Sequence, residues 1–212
     1  MKLYDYKGAP NPRRVQIFLA EKGIEVPLEQ VDITKGQTRQ PPFLEKNPAG
    51  SVPVLELDDG TCIAESVSIC RYFEALHPDP PLFGRTPVEI ATIDMWLRRV
   101  ELIVMSSVGM VWINDHPLTA SMFEQNKPAA DMGRARAAMG YKLLDEQLAD
   151  NTFIAGNEYS VVDAVGLATL DFAVDLVGVP YDEKLVNLKR WHQLVSARPS
   201  AGAKLNAEFK TD

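Results

Sequence analysis

Three places in this 212-residue chain put chemistry-bearing side chains beside backbone that can use them. At Glu65-Ser66 a strand pattern gives way to a helical one. Unpaired amides at a helix N-terminus attract a carboxylate, a serine hydroxyl adds a donor, and Glu65 can meet an ammonium; read for structure only, Ser66 is an ordinary N-cap. At 9–12, Ala-Pro-Asn-Pro, the pattern predicts Asn11 as an N-cap with Pro12 at the first helical position. Capping occupies the oxygen of Asn11 and leaves its NH2 group to donate to an anion. At Val52-Pro53 a turn delivers the chain into a strand. An X–Pro bond is cis in only ~5–6% of cases, so the residues alone predict trans. The only cysteines, Cys62 and Cys70, form no Cys-x-x-Cys and have no His pair nearby. That argues for a reducing compartment and against a cysteine-based zinc site.

The elements that must hold these groups fall into two sets. Strand signals at 2–6 stop at Gly8-Ala9-Pro10, and Val15, Phe18 and Leu19 follow at helical spacing up to Gly23. A strand is predicted over 26–33, a helical turn around Phe43 and Leu44, a hairpin through Asp58-Asp59-Gly60, and a helix ending before His77. The order is β-α-β-α-β-β-α. Alternation along 2–6 puts Tyr4 and Tyr6 on one face. Prolines at 78, 80, 81 and 87, with Gly84, have the composition of a linker. The sequence therefore divides into 1–77, a linker at 78–87, and 88–212. Long amphipathic segments follow at 88–115, 121–149, 160–177 and 186–197, and Ser160 to Asp163 fits a capping box with Asp in the last position.

Composition narrows the partners. With 46% hydrophobic and 24% charged residues the chain is that of an ordinary globular protein, not a disordered, collagenous or disulfide-built one. Twenty-two basic against 29 acidic residues leave a net charge of −7. That surplus repels phosphate backbones and anionic membranes, so no nucleic-acid or membrane partner is expected. The start, MKLYDYKGAP, carries charge where a signal peptide needs an apolar run, and a cytoplasmic protein is expected.

Four motifs, APNPRRV (9–15), NPAGSVPVL (47–55), AES (64–66) and the box at 160–163, stand in an order and spacing that resemble the cytosolic glutathione transferase family across nearly the whole chain. The segment around Asn11 looks most like bacterial and fungal members carrying Asn there. The resemblance implies an α/β thioredoxin-like N-terminal domain binding glutathione, then an all-α helical-bundle C-terminal domain contributing the electrophile site. It also implies a homodimer, glutathione as co-substrate, and no metal. It reverses the reading at Val52-Pro53, since the family keeps a cis-proline here that frees the Val52 backbone to pair with the cysteinyl part of the tripeptide. Glu65 and Ser66 would hold its γ-glutamyl end. For the glycyl carboxylate, family members often use His or Lys; this chain offers Thr38, Arg39, Gln40 and Ser51 there, and Arg39 is the candidate.

Conjugation uses the thiolate, and lowering a thiol pKa from ~8.5 by about two units takes roughly 3 kcal/mol of preferential anion stabilisation. Most of the family supplies Tyr, Ser or Cys. At 9–12 neither Ser nor Cys is present, so Asn11, donating to the sulfur, is the first candidate and Tyr6 the second. Ser106, Ser107 and His116 lie on or at the end of the long helix that lines the family's cleft, where a hydroxyl or held water reaches the sulfur; as plain structure they are packing and helix-end residues. Met105, Met110 and Trp112 are either the wall for a small apolar electrophile or simple core. The implied activity is attack on an electrophilic carbon or a hydroperoxide, as in detoxification. The alternatives are a glutathione-dependent disulfide-bond reductase and a non-catalytic glutathione-binding regulator.

Overall fold

A computed structural model describes residues 1–202, which form two compact units, Met1–Leu82 joined by residues 199–202, and Phe83–Arg198. In the first, strands β1 (Lys2–Asp5), β2 (Leu28–Gln30), β3 (Val54–Glu56) and β4 (Cys62–Ala64) make one sheet in the order β2-β1-β3-β4. β1 and β2 are parallel, and the other two pairs are antiparallel, with Tyr4 opposite Val54 and Val54 opposite Ala64. The helices are α1 (Pro10–Lys22), the short α2 (Pro41–Leu44) and α3 (Ser66–Leu76). Mixed sheet and helices together make a thioredoxin-like domain.

The two-residue period of β1 divides the core. Tyr4 and Val54 pack with Val31, Val52 and Phe43 of α2, and Tyr6, Cys62 and Ala64 lie against the same cluster. Leu3 and Asp5 face the other way, where Gln16 of α1 and Gln30 each donate to Asp5 Oδ2, at 3.0 and 2.7 Å. Burial pushes the Asp5 carboxyl up, against the opposing pull of these amides. α1 ends at Gly23, whose φ of 65° closes the helix onto Leu19 and Ala20 carbonyls. Just before it, the buried Lys22 pairs with Glu74 and donates to the carbonyls of His77 and Pro80, both at 2.7 Å. That tie satisfies carbonyls at the end of α3 and fixes the start of the proline-rich stretch. Residues 199–202 pack with this unit, and Ser200 donates to Glu21.

The second unit is helical: α4 (Pro87–Arg99), α5 (Ser106–Asp115), α6 (Lys127–Leu148), α7 (Val161–Asp171) and α8 (Val186–Ser196). π-Helical turns join α4 to α5 and extend α7. α5 and α6 approach closely because α6 presents Gly133 and Gly140; a Cβ there would lie 2.8 Å from the Ser107 carbonyl and 2.9 Å from Val104. Every residue from Val161 to Leu170 is buried, the mark of a central helix. Its predicted capping box is present: Ser160 N–H donates to Asp163 Oδ2 at 2.9 Å and Val162 N–H to Ser160 Oγ at 3.3 Å. Asp163 also accepts from Ile154 N–H at 3.0 Å and Trp191 Nε1 at 2.8 Å. Burial pushes this carboxyl up while its donors pull down. Ser160 Oγ also donates to Oδ2, at 3.1 Å, so all four groups around it donate and the arrangement fits the carboxylate.

Candidate functional site

The starts of α1 and α3 differ in what they offer an anion. α3 begins directly after β4, with Glu65 as its cap residue and no side chain capping it. Ser66, Val67 and Ser68 therefore bring three first-turn amides without intrahelical partners. Ser66 is the first helical residue and not the cap, so its hydroxyl is not used for capping. α1 instead begins at Pro10 with Ala9 as cap. This corrects the expectation that Asn11 caps the helix: Asn11 is the second helical residue. Pro10 and Pro12 have no N–H, so of the first three residues only Asn11 carries an amide. Proline is tolerated throughout this first turn because those hydrogens would have no partner, which is why Pro10 fits as well as Pro12. Asn11 Oδ1 is buried without a hydrogen-bond partner.

Glu65 is the one non-glycine residue with positive φ among the described residues, at φ 67° and ψ 119°. Such backbone costs of order 1–3 kcal/mol and concentrates at functional sites. Its side chain is exposed while Ser66, next to it, is 5% exposed. Behind Ser66 stands Arg14 of α1, whose Nη1 lies 3.4 Å from Ser66 Oγ.

Val52–Pro53 is cis, as the resemblance implies and the residues alone do not. The turn before it is built by the buried Asn47, which donates to the Ser51 carbonyl at 2.8 Å and Oγ at 3.1 Å and accepts from Ala49 N–H at 3.1 Å. Arg39, exposed at the end of a short 3-10 turn, reaches across Gly50 to donate to the Ala49 carbonyl at 3.1 Å. A Cβ on Gly50, where φ is 61°, would lie 2.7 Å from that guanidinium. Arg39 thus stands beside the turn that leads into Val52. The structure brings Arg39 together with residues 49–50, and Ser66 together with Arg14.

Tyr6 lies just past β1 with its ring on the Tyr4–Val52 cluster. Tyr4 shares that face, but its hydroxyl donates to Glu56 Oε2 at 2.6 Å. Lys46 bonds the same oxygen at 2.8 Å, and together they hold the Glu56 carboxyl below its usual range. In the second unit Ser106 and Ser107 each donate to a carbonyl one turn back, Leu102 and Ile103, both at 2.5 Å, so their protons are used within the helix. His116 stacks on Trp112 at 4.4 Å and accepts from Leu118 N–H at 3.3 Å, and burial lowers its pKa. Trp112 meets Phe172 edge to face at 5.4 Å. Among the described residues no His, Cys, Asp and Glu cluster could hold a metal, and no helix is long and apolar enough to cross a membrane.

Residues 3–81 match the sequence profile of the glutathione S-transferase N-terminal domain, and 103–199 that of its C-terminal domain. Glutathione S-transferase 2 of Saccharomyces cerevisiae is 36% identical over 215 residues, an alignment covering 100% of this chain and 92% of that protein. The chain belongs to the glutathione S-transferase family. Crystal structures agree: Gtt2 from Saccharomyces cerevisiae superposes with a TM-score of 0.90 at 35% identity, covering 95% of this chain and 99% of that one. The class Gtt2 glutathione S-transferase of Vibrio parahaemolyticus gives 0.84 at 34% identity, covering 99% and 100%.

For this transferase-family chain, sequence reasoning passed over Arg14 and Asn47. Signals for both were present. Arg14 stands three and four residues before Ile17 and Phe18, which puts it on the buried stripe of α1. Asn47 precedes Pro48, an Asx-turn signal.

Proposed function

We propose that this protein binds glutathione at the first unit and stabilises its thiolate for attack on an electrophilic carbon or a hydroperoxide. The observation that carries this reading is the Glu65–Ser66 corner. A carboxylate side chain on strained backbone stands at a helix start with three unpaired amides and a buried hydroxyl. The γ-glutamyl end of glutathione carries an ammonium and a carboxylate on one carbon, and the corner offers a partner to each. The Val52 N–H and C=O, which have no hydrogen-bond partner among the described residues, suit the cysteinyl backbone, held in place by Pro53. Arg39 suits the glycyl carboxylate. Asn11, with its amide and side-chain NH2, or Tyr6 meets the sulfur. Family membership supports this arrangement, together with a homodimer acting in the cytoplasm on a small apolar electrophile.

A second reading has its own support. With Pro10 and Pro12 at the start of α1, few donors surround the sulfur position, which favours a glutathione-binding protein without conjugating activity. Calorimetric titration with glutathione, followed by assays with an aryl halide, a hydroperoxide and a mixed disulfide, separates the possibilities. Binding with turnover of the first two is expected. Turnover of the mixed disulfide alone points to a reductase, binding without turnover to the second reading, and no binding at millimolar glutathione refutes both.

A further inference from the structure

The segment 9–15 supplies Asn11 to the proposed site, but its arginines have no part in that scheme. Arg14 is 4% exposed, held on the buried side of α1, with its guanidinium behind the first residue of α3. Arginine only donates hydrogen bonds, so in the contact at 3.4 Å Ser66 Oγ is the acceptor. A serine hydroxyl that accepts on one side keeps its single proton for another partner. Without that contact the hydroxyl could rotate and accept from an amide of the α3 first turn, and its proton would then face away from an incoming anion. A guanidinium remains charged at all working pH values, and a buried charge is little screened by salt.

We propose that Arg14 is a positioning residue for the γ-glutamyl α-carboxylate of glutathione. By donating to Ser66 Oγ it turns the Ser66 proton toward that carboxylate, and it places a fixed positive charge behind the α3 amides. This rests on the assignment of the Glu65–Ser66 corner to the γ-glutamyl group and adds to it the residue that orients the hydroxyl. It also supplies a fixed cation near the bound anion on a chain of net charge −7.

The test compares two ligands by calorimetry: glutathione, and 4-aminobutyryl-cysteinylglycine, which keeps the ammonium but has hydrogen in place of the α-carboxylate. Arg14→Gln should weaken glutathione about tenfold or more, the effect of losing one hydrogen bond to a charged group, and leave the analogue within about twofold. Arg14→Lys, which keeps the charge but loses the fork, should recover part of the loss. Ser66→Ala leaves Arg14 in place and should reproduce the carboxylate-selective loss, so the test stands even if Arg14→Gln fails to fold. Unchanged glutathione affinity in Arg14→Gln, an equal loss for both ligands, or no loss in Ser66→Ala overturns the role of Arg14. A wild-type protein that binds neither ligand refutes instead the assignment of the site to glutathione.

Discussion

Glu65 allows strain and ligand recognition to be separated by substitution at one position. Its φ of 67° is a conformation L-residues rarely adopt, costing of order 1–3 kcal/mol, and glycine removes the part due to the Cβ atom. Glycine adds about 0.4–1 kcal/mol of unfolded-state entropy, so Glu65→Gly should be more stable than Glu65→Ala by roughly 1 kcal/mol. Glu65→Ala should match wild type in stability, since the side chain is exposed and the backbone strain persists. Binding should behave differently. Both variants lose a carboxylate facing an ammonium, worth about 1.5–3 kcal/mol, so glutathione affinity should fall about 10- to 150-fold in each. Urea denaturation gives the stability differences and calorimetry the affinities. If Glu65→Gly is no more stable than Glu65→Ala, the corner stores no strain. Wild-type affinity in Glu65→Ala removes the carboxylate from the site.

Four further substitutions address the framework and the sulfur. Asp163→Ala leaves Trp191 Nε1, Ile154 N–H and Ser160 N–H without their acceptor and should cost roughly 3–5 kcal/mol by urea denaturation; a loss under about 1 kcal/mol refutes the accounting. Burial raises the folded-state pKa of Asp5, so the folded protein holds that proton more tightly than the unfolded chain, and stability is lost as pH rises from the unfolded value near ~3.9 through the folded one. Asp5→Asn should therefore gain on wild type as pH rises toward neutrality, with the gap closing in acid; a gap independent of pH contradicts this. For the thiolate, Asn11→Ala should raise the pKa of bound glutathione in a pH–rate profile by about one unit, and Tyr6→Phe should leave it in place; the reverse result assigns the sulfur to Tyr6.

Much of this arrangement was legible in the sequence, and the exceptions have physical causes. The helices over 88–115 and 160–177 follow from apolar periodicity, and the Ser160–Asp163 box is a local signal read locally. The cis bond before Pro53 was not legible from the residues, because local preference favours trans; only the resemblance supplied it. β2 was expected over 26–33, yet only Leu28–Gln30 pairs, as the exposed edge of the sheet, where no second neighbour extends the ladder. At α1 both Pro10 and Pro12 satisfy the rules for a first turn, and the preference for Asn as a cap pointed to the wrong one. Arg14 escaped notice because charge is read as solvated, although its spacing from Ile17 and Phe18 places it inside.

The division between buried and exposed cations sets the expected salt dependence. At neutral pH glutathione carries two carboxylates and one ammonium, and the chain carries −7, so long-range forces oppose the encounter. Adding salt should raise the association rate, since the Debye length shrinks from ~30 Å at 0.01 M to ~8 Å at 0.15 M and screens that repulsion. In the proposed arrangement the γ-glutamyl end meets the α3 amides and the Ser66 hydroxyl, backed by the buried Arg14, which salt barely reaches, whereas the glycyl end meets the exposed Arg39. Arg39→Gln should therefore weaken binding at low salt and have little effect at 0.15 M, while the effect of Arg14→Gln should persist at both. Stopped-flow association across this range measures it. A rate that falls as salt rises means that a basic surface attracts the ligand, and the local-site account is then wrong.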